Sequence, residues 1–175
     1  IQIINIESSD YWVRDFGFDK IYLIQTAENY VFSIYSDNSK HGIIQYNISH
    51  AEPPKYQDIY NQFPVIIDTV YDLSRIDSNI FLSTDKGLFK GNFMLSNIKN
   101  SDGWDEVEYN DNENQKINVR HMLFDDSQFI TNDKVIYKKI DNIWSVLYQF
   151  ENDIINAIKI DSNYCFLSDE TVFII

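Results

Sequence analysis

From residue 20 to the end, the chain alternates short apolar runs with short polar breaks. Ile, Val, Tyr and Phe carry the runs, and Asp, Asn and Ser carry the breaks. Runs of β-branched and aromatic residues between polar clusters predict strands joined by tight turns. No window holds apolar residues at i, i+3, i+4 and i+7 for three turns without an interrupting turn cluster, so no long amphipathic helix is expected.

The pattern also repeats. Segments beginning near Asn29, Asn79, Gln128 and Asn163 share an apolar run, and an Asp opens the next turn at Asp37, Asp85, Asp133 and Asp169. An aromatic then leads a further apolar stretch at Tyr56, Trp104 and Trp144, and Trp12 fits the same place ahead of the first unit. Each unit reads as four strands. The inner strands are expected at 21–25, 66–73, 117–124 and 154–160, nearly continuous in apolar residues at Val65, Ile66 and Ile67 and at Ile154 and Ile155. The first turn is Asp-Ser-Asn in its clearest copies, apt because Asp and Asn tolerate left-handed backbone and bond their own main chain.

Four strands in a repeat of roughly 40–50 residues predict an all-β fold, a β-propeller of four-stranded antiparallel blades. The blades fall at about 20–62, 65–110, 115–150 and 154–175, with an N-terminal strand at 9–16, all in one domain. That is four blades' worth of strands. Either strand 9–16 closes the last blade into a four-blade ring, or the chain is part of a six- to eight-blade propeller. The start at Ile1 and the apolar final strand from Val172 to Ile175 favour the second expectation.

The stretch Ile80-Phe81-Leu82-Ser83-Thr84-Asp85-Lys86-Gly87-Leu88-Phe89-Lys90 resembles the blade motif of two-component-regulator propeller repeats, in which an apolar run, Thr and a polar pair precede Gly-Leu-Tyr. Val135 and Thr171 stand where this motif has Gly87. The resemblance implies a periplasmic sensor domain of a hybrid histidine kinase, or a secreted or surface propeller of Bacteroidetes-type bacteria, type IX secretion components included. A periplasmic or extracellular location follows from it. WD40 propellers are excluded, since no Gly-His or Trp-Asp pair sits where their blades need one.

Composition sharpens this picture. Three Ala stand beside 27 Ile, 12 Tyr and 12 Phe, which argues against an all-α protein. With 27 Asp+Glu against 14 Lys+Arg, the formal net charge is −13. Such a field repels nucleic acid and anionic membrane surfaces. No apolar run approaches the roughly 18 residues that span a bilayer. The single Cys165 lies in an apolar run and reads as a small core residue.

Chemistry is sparse. No His pair has zinc spacing, and Cys165 has no partner ligand, so no metal and no cofactor are expected. The acidic run from Asn110 to Asn114 lacks the Gly and the closing Glu of a calcium loop. Aspartates recurring in register at 77, 126 and 161 and at 37, 85, 133 and 169 read as turn residues, not as a site. Binding is expected where aromatics and histidines meet the variable connections: His50, Tyr56 and Tyr60 around the Pro53-Pro54 insert, Trp104 after the 91–103 connection, and His121 on an inner strand. The function expected is a non-enzymatic module that binds a protein or an extracellular ligand by its loop faces. The alternatives are a propeller glycosidase or lyase with carboxylates converging in the channel, and a structural subunit joined through an open blade edge to further blades of the same or another chain.

Overall fold

The computed structural model describes residues 2–4, 11–13, 17–27, 29–48, 55–125 and 127–175. A hairpin of β1 (Gln2–Ile4) and β2 (Tyr11–Val13) comes first. Three four-stranded antiparallel sheets and one three-stranded sheet follow, each in simple up-and-down order. The first sheet holds β3 (Lys20–Ala27), β4 (Tyr30–Asp37), β5 (Lys40–Asn47) and β6 (Lys55–Tyr60). The second holds β7 (Val70–Ile76), β8 (Asn79–Thr84), β9 (Gly87–Asn92) and β10 (Trp104–Val107). The third holds β11 (Met122–Phe124), β12 (Gln128–Thr131), β13 (Val135–Ile140) and β14 (Ile143–Gln149). The fourth holds β15 (Ile154–Ile160), β16 (Asn163–Ser168) and β17 (Val172–Ile174). Among the described residues, helix is confined to two short 3-10 turns, Ser96–Lys99 and Ser101–Gly103.

The fold is the all-β propeller arrangement that the repeat predicts. Inner strands lie side by side in chain order, β3 by β7, β7 by β11 and β11 by β15. Together they line one central cavity of about 490 Å³. Turn chemistry carries the local geometry. Asp77 and Asp161 adopt φ of 51° and 54°, and Asn38 and Ser39 adopt 47° and 64°, the left-handed region these side chains tolerate. Thr84, Asn132 and Ser168 hold the next turn in the same way, each side-chain oxygen accepting a backbone N–H two or three residues on.

Those turns align the sheets residue by residue. Phe81, Phe129 and Cys165 become equivalent, as do Leu88, Ile136 and Val172. Asn79 and Asn163 both open the second strand opposite the last residue of the first, Ile76 and Ile160. Gln128 stands one place further on, because Phe124 pairs with Gln128 across three residues of chain where the other two pairs are separated by two. Asn29 lies in the turn itself, one residue before β4. One residue is enough to exchange the two faces of a strand, and so Phe32 and Ile34, not Val31 and Ser33, face the second sheet.

Three further departures have physical causes. Expected strand 66–73 begins only at Val70, because Pro64 cannot donate to a ladder and the stretch from Val65 to Thr69 serves as the connection between sheets. Expected strand 117–124 contracts to Met122–Phe124, since Ile117 bonds backward to Tyr109, while Arg120 bonds Thr131 of its own sheet. The strand at Trp12 pairs with β1 and does not complete the last sheet. Part of the predicted strand 9–16 lies outside the described residues, as does Asp126.

Packing between sheets forms the core. Phe32, Ile34, Ile43 and Tyr60 of the first sheet meet Leu73, Ile80, Leu82 and Phe89 of the second. Phe81 and Leu88 meet Met122, Ile130, Tyr137 and Trp144. Phe129 and Ile136 meet Ile154, Tyr164 and Phe166. Gly91 is required where Ile98 and Trp104 close over β9, for a Cβ there would stand 2.8 Å from Ile98 Cδ1.

Phe129 is 1% exposed and lies 4.6 Å from the Tyr164 ring and 5.8 Å from Phe166, centroid to centroid. Phe129→Ala is expected to cost about 3–5 kcal/mol in urea unfolding, the loss of a fully buried ring with its cavity. A loss below about 1 kcal/mol would show that the third and fourth sheets are not held through this side chain.

Candidate interaction face at the sheet junctions

Up-and-down order puts the connections between sheets at the same end of the molecule as the turns between second and third strands. Two grooves open near this end. The larger, about 800 Å³, follows the junction of the first two sheets. Its apolar wall includes Phe18, Ile59, Phe63 and Pro64, and its polar rim includes Asp37, Lys40, His41 and Asn61. Phe18 stacks on Tyr35 with centroids 3.9 Å apart. Ile66, in the connection that borders the groove, is 83% exposed, while its neighbour Ile67 is buried beneath it. Pro64 and the absence of a ladder partner turn Val65 and Ile66 outward. The smaller groove, about 280 Å³, lies between the second and third sheets, around Lys86, Lys116 and Arg120.

Polar side chains fix the junctions along this end. His41 Nε2 lies 3.0 Å from the Asp68 carbonyl and Nδ1 lies 2.9 Å from the Tyr22 hydroxyl. A carbonyl only accepts, so Nε2 carries the hydrogen and Nδ1 accepts from Tyr22. Asp85 accepts the backbone N–H groups of Asp68 and Thr69, and Lys86 pairs with both Asp68 and Asp85 at 2.6 Å. Desolvation pushes the Asp85 carboxyl up, but Lys86 and the two N–H donors outweigh it and hold it below its ordinary value. Arg120 stacks on the Tyr71 ring at 3.7 Å and bonds Asp133 at 2.6 Å. Ser83 donates to the Val119 carbonyl at 2.5 Å, from the second sheet to the third.

Deeper in, one inner-strand position ties the second sheet to the third and the third to the fourth. Asp72 pairs with Ser83, His121 accepts the N–H of Thr131, and Asn156 pairs with Leu167, which makes the three equivalent. Asp72 accepts the N–H of Leu73 at 2.8 Å and, across the junction, that of Met122 at 2.7 Å. The His121 ring is hydrogen-bonded to the Ile154 backbone, again across the junction. Burial pushes the Asp72 carboxyl up to about 7, against the pull of its two N–H donors. Burial also pushes the His121 imidazole below its ordinary value. A histidine held neutral in this way loses stability as pH falls through its unfolded value near 6.5.

The sequence-predicted residues scatter. His50 and most of its Pro53-Pro54 insert lie outside the described residues. Tyr56 is partly exposed on β6, its ring set edge-on to Tyr46 at 6.4 Å. Tyr60 is buried and its hydroxyl donates to Gln45. Trp104 is buried against Phe63, its indole N–H donating to the Ile98 carbonyl at 2.9 Å. His121 serves the junction to the fourth sheet. The exposed pair Val65 and Ile66 was not among them. Their signal was Pro64, which marks a break where the apolar run alone suggests a strand.

No family model and no curated protein matches the chain. Among solved structures it is similar to the AfRom2 CNH domain, with a TM-score of 0.62 and 8% identity over 97% of this chain and 55% of that one. At this identity the likeness shows the propeller fold alone. The chain spans about half the length of that structure.

Asp72 gives a signed test. An acid whose folded pKa of about 7 exceeds its unfolded value weakens folding as pH rises from roughly 4 to 7. Asp72→Asn keeps an oxygen for the Met122 N–H and removes the charge. Thermal melts are expected to coincide with wild type near pH 4 and to lie higher by about 5 °C at pH 8. A variant that melts lower at pH 8 would show that the two N–H donors hold the anion after all.

Proposed function

We propose that this propeller is a non-enzymatic binding module that takes a protein partner along the groove at its first sheet junction. The observation that carries the reading is Ile66, 83% exposed on a connection anchored by buried Ile67 and bordering an apolar groove with a polar rim. An apolar side chain held out by a rigid frame is the form of a protein-binding anchor. The net charge of −13 suits a basic partner, whose encounter would be faster at low salt. The polar groups of the central cavity support the non-enzymatic reading. Asp72 is committed to two backbone N–H groups, and Asp125 is paired with Lys159. The reading includes a sensor-type role in the periplasm or outside the cell, which rests on the resemblance of the blade from Ile80 to Lys90. No helix among the described residues is long and apolar enough to cross a membrane.

A photo-crosslinking residue at position 65, expressed in the native host, is expected to trap one protein. Ile66→Asp is expected to weaken that protein's binding at least about 10-fold while shifting the melting temperature by less than about 2 °C. An unchanged affinity for the trapped protein would overturn the reading.

A further inference from the structure

The two faces of the fourth sheet differ. Ala157, Phe166 and Phe173 form one row across it and pack on the third sheet. The opposite face carries Ile158, Cys165 and Ile174 in one row and Asn156, Leu167 and Val172 in the next. Ile158, Ile174, Leu167 and Val172 are all exposed.

Equivalence with the other sheets says what this face is built for. Phe81 and Phe129 stand where Cys165 does, and both are buried by the following sheet. Leu88 and Ile136 stand where Val172 does. They are 4% and 0% exposed, and Val172 is 57% exposed. Ser83 and Thr131 are wholly buried where Leu167 is open. Asp72 and His121 reach across to the next sheet from the position Asn156 holds, and Asn156 itself is exposed. Each of these positions faces a following sheet in the second and third repeats and faces solvent in the fourth.

We propose that this face receives a fifth antiparallel blade, contributed by the same polypeptide beyond Ile175. This chain covers 55% of the matched CNH-domain chain, so a single polypeptide of that fold carries further length beyond the part matched, which favours a covalent continuation. The first sheet of a second copy is a poor fit, since its own outward face is closed: Ser33, Ile44 and Tyr46 are buried there. The inference is independent of the groove at the first junction.

Cys165, the chain's one cysteine, reports on this face directly. The 175-residue chain is compared with the chain that carries the next ~45 residues of its gene, one blade's length. Maleimide labelling of Cys165 is expected to be slower by about 100-fold or more in the longer chain, where the thiol must await local opening. Equal rates in both chains would overturn the proposal, as would a reading frame that stops at Ile175. Protection that appears in the shorter chain and grows with its concentration would also overturn it, in favour of a second copy. Val172→Glu gives a second readout. It is expected to lower the melting temperature of the longer chain by about 5 °C or more and to leave the shorter chain within about 2 °C. Equal shifts in both would again overturn the proposal.

Discussion

A small antiparallel sheet with apolar side chains on both faces cannot be stable in water by itself. Every sheet here meets that condition, because consecutive residues such as Ile80, Phe81 and Leu82 or Phe129 and Ile130 point to opposite sides and all are buried. Stacking sheet on sheet dries the faces that meet, and it turns a chain of modest local elements into one structure. The hydrophobic term of roughly 25 cal/mol per Å² acts across these junctions, so stability resides between blades more than within them.

This constraint explains why the polar groups lie where they do. Main-chain groups at a junction cannot reach water, and Asp72, Ser83 and His121 satisfy them from the neighbouring sheet. The buried carboxyl and the buried imidazole are costs of this arrangement, visible as opposite displacements of their proton affinities. Polar residues on inner strands of a propeller therefore report first on how sheets are joined.

Much of the architecture was legible in the sequence. Strand order, turn positions and the repeat all follow from period-two patterning punctuated by Asp and Asn. Register was legible where Asp-Ser-Asn marks the turn; Gln128 slips because its hairpin spans one residue more, and Asn29 because it lies before the strand and not at its first residue. Strand ends at 66–69 and 117–121 were hidden for a related reason: an apolar run reads the same in a ladder and in a packed connection. The site was harder. Tyr60 and Trp104 stood beside variable loops in the sequence, but an aromatic at a loop boundary serves a core as readily as a rim, and here both are buried. Tyr56 keeps an exposed portion, and His121 is half-buried. The outward-turned Val65 and Ile66 depend on a backbone break that one proline hints at and three dimensions define.

The extra residue of chain between the paired Phe124 and Gln128 bears on how such a chain diverges from its own duplicates. A single inserted or deleted codon inside a strand would swap oil for water along everything downstream. At a hairpin tip the same event is absorbed within a few atoms, and the bulges at Leu23, Tyr71 and Ile155 absorb it at the rim of the axis. Ancestral copies are thus free to drift in length at their corners while their walls stay phase-locked, which is why kinship among the four leaves survives in side-chain direction after it has faded from the letters.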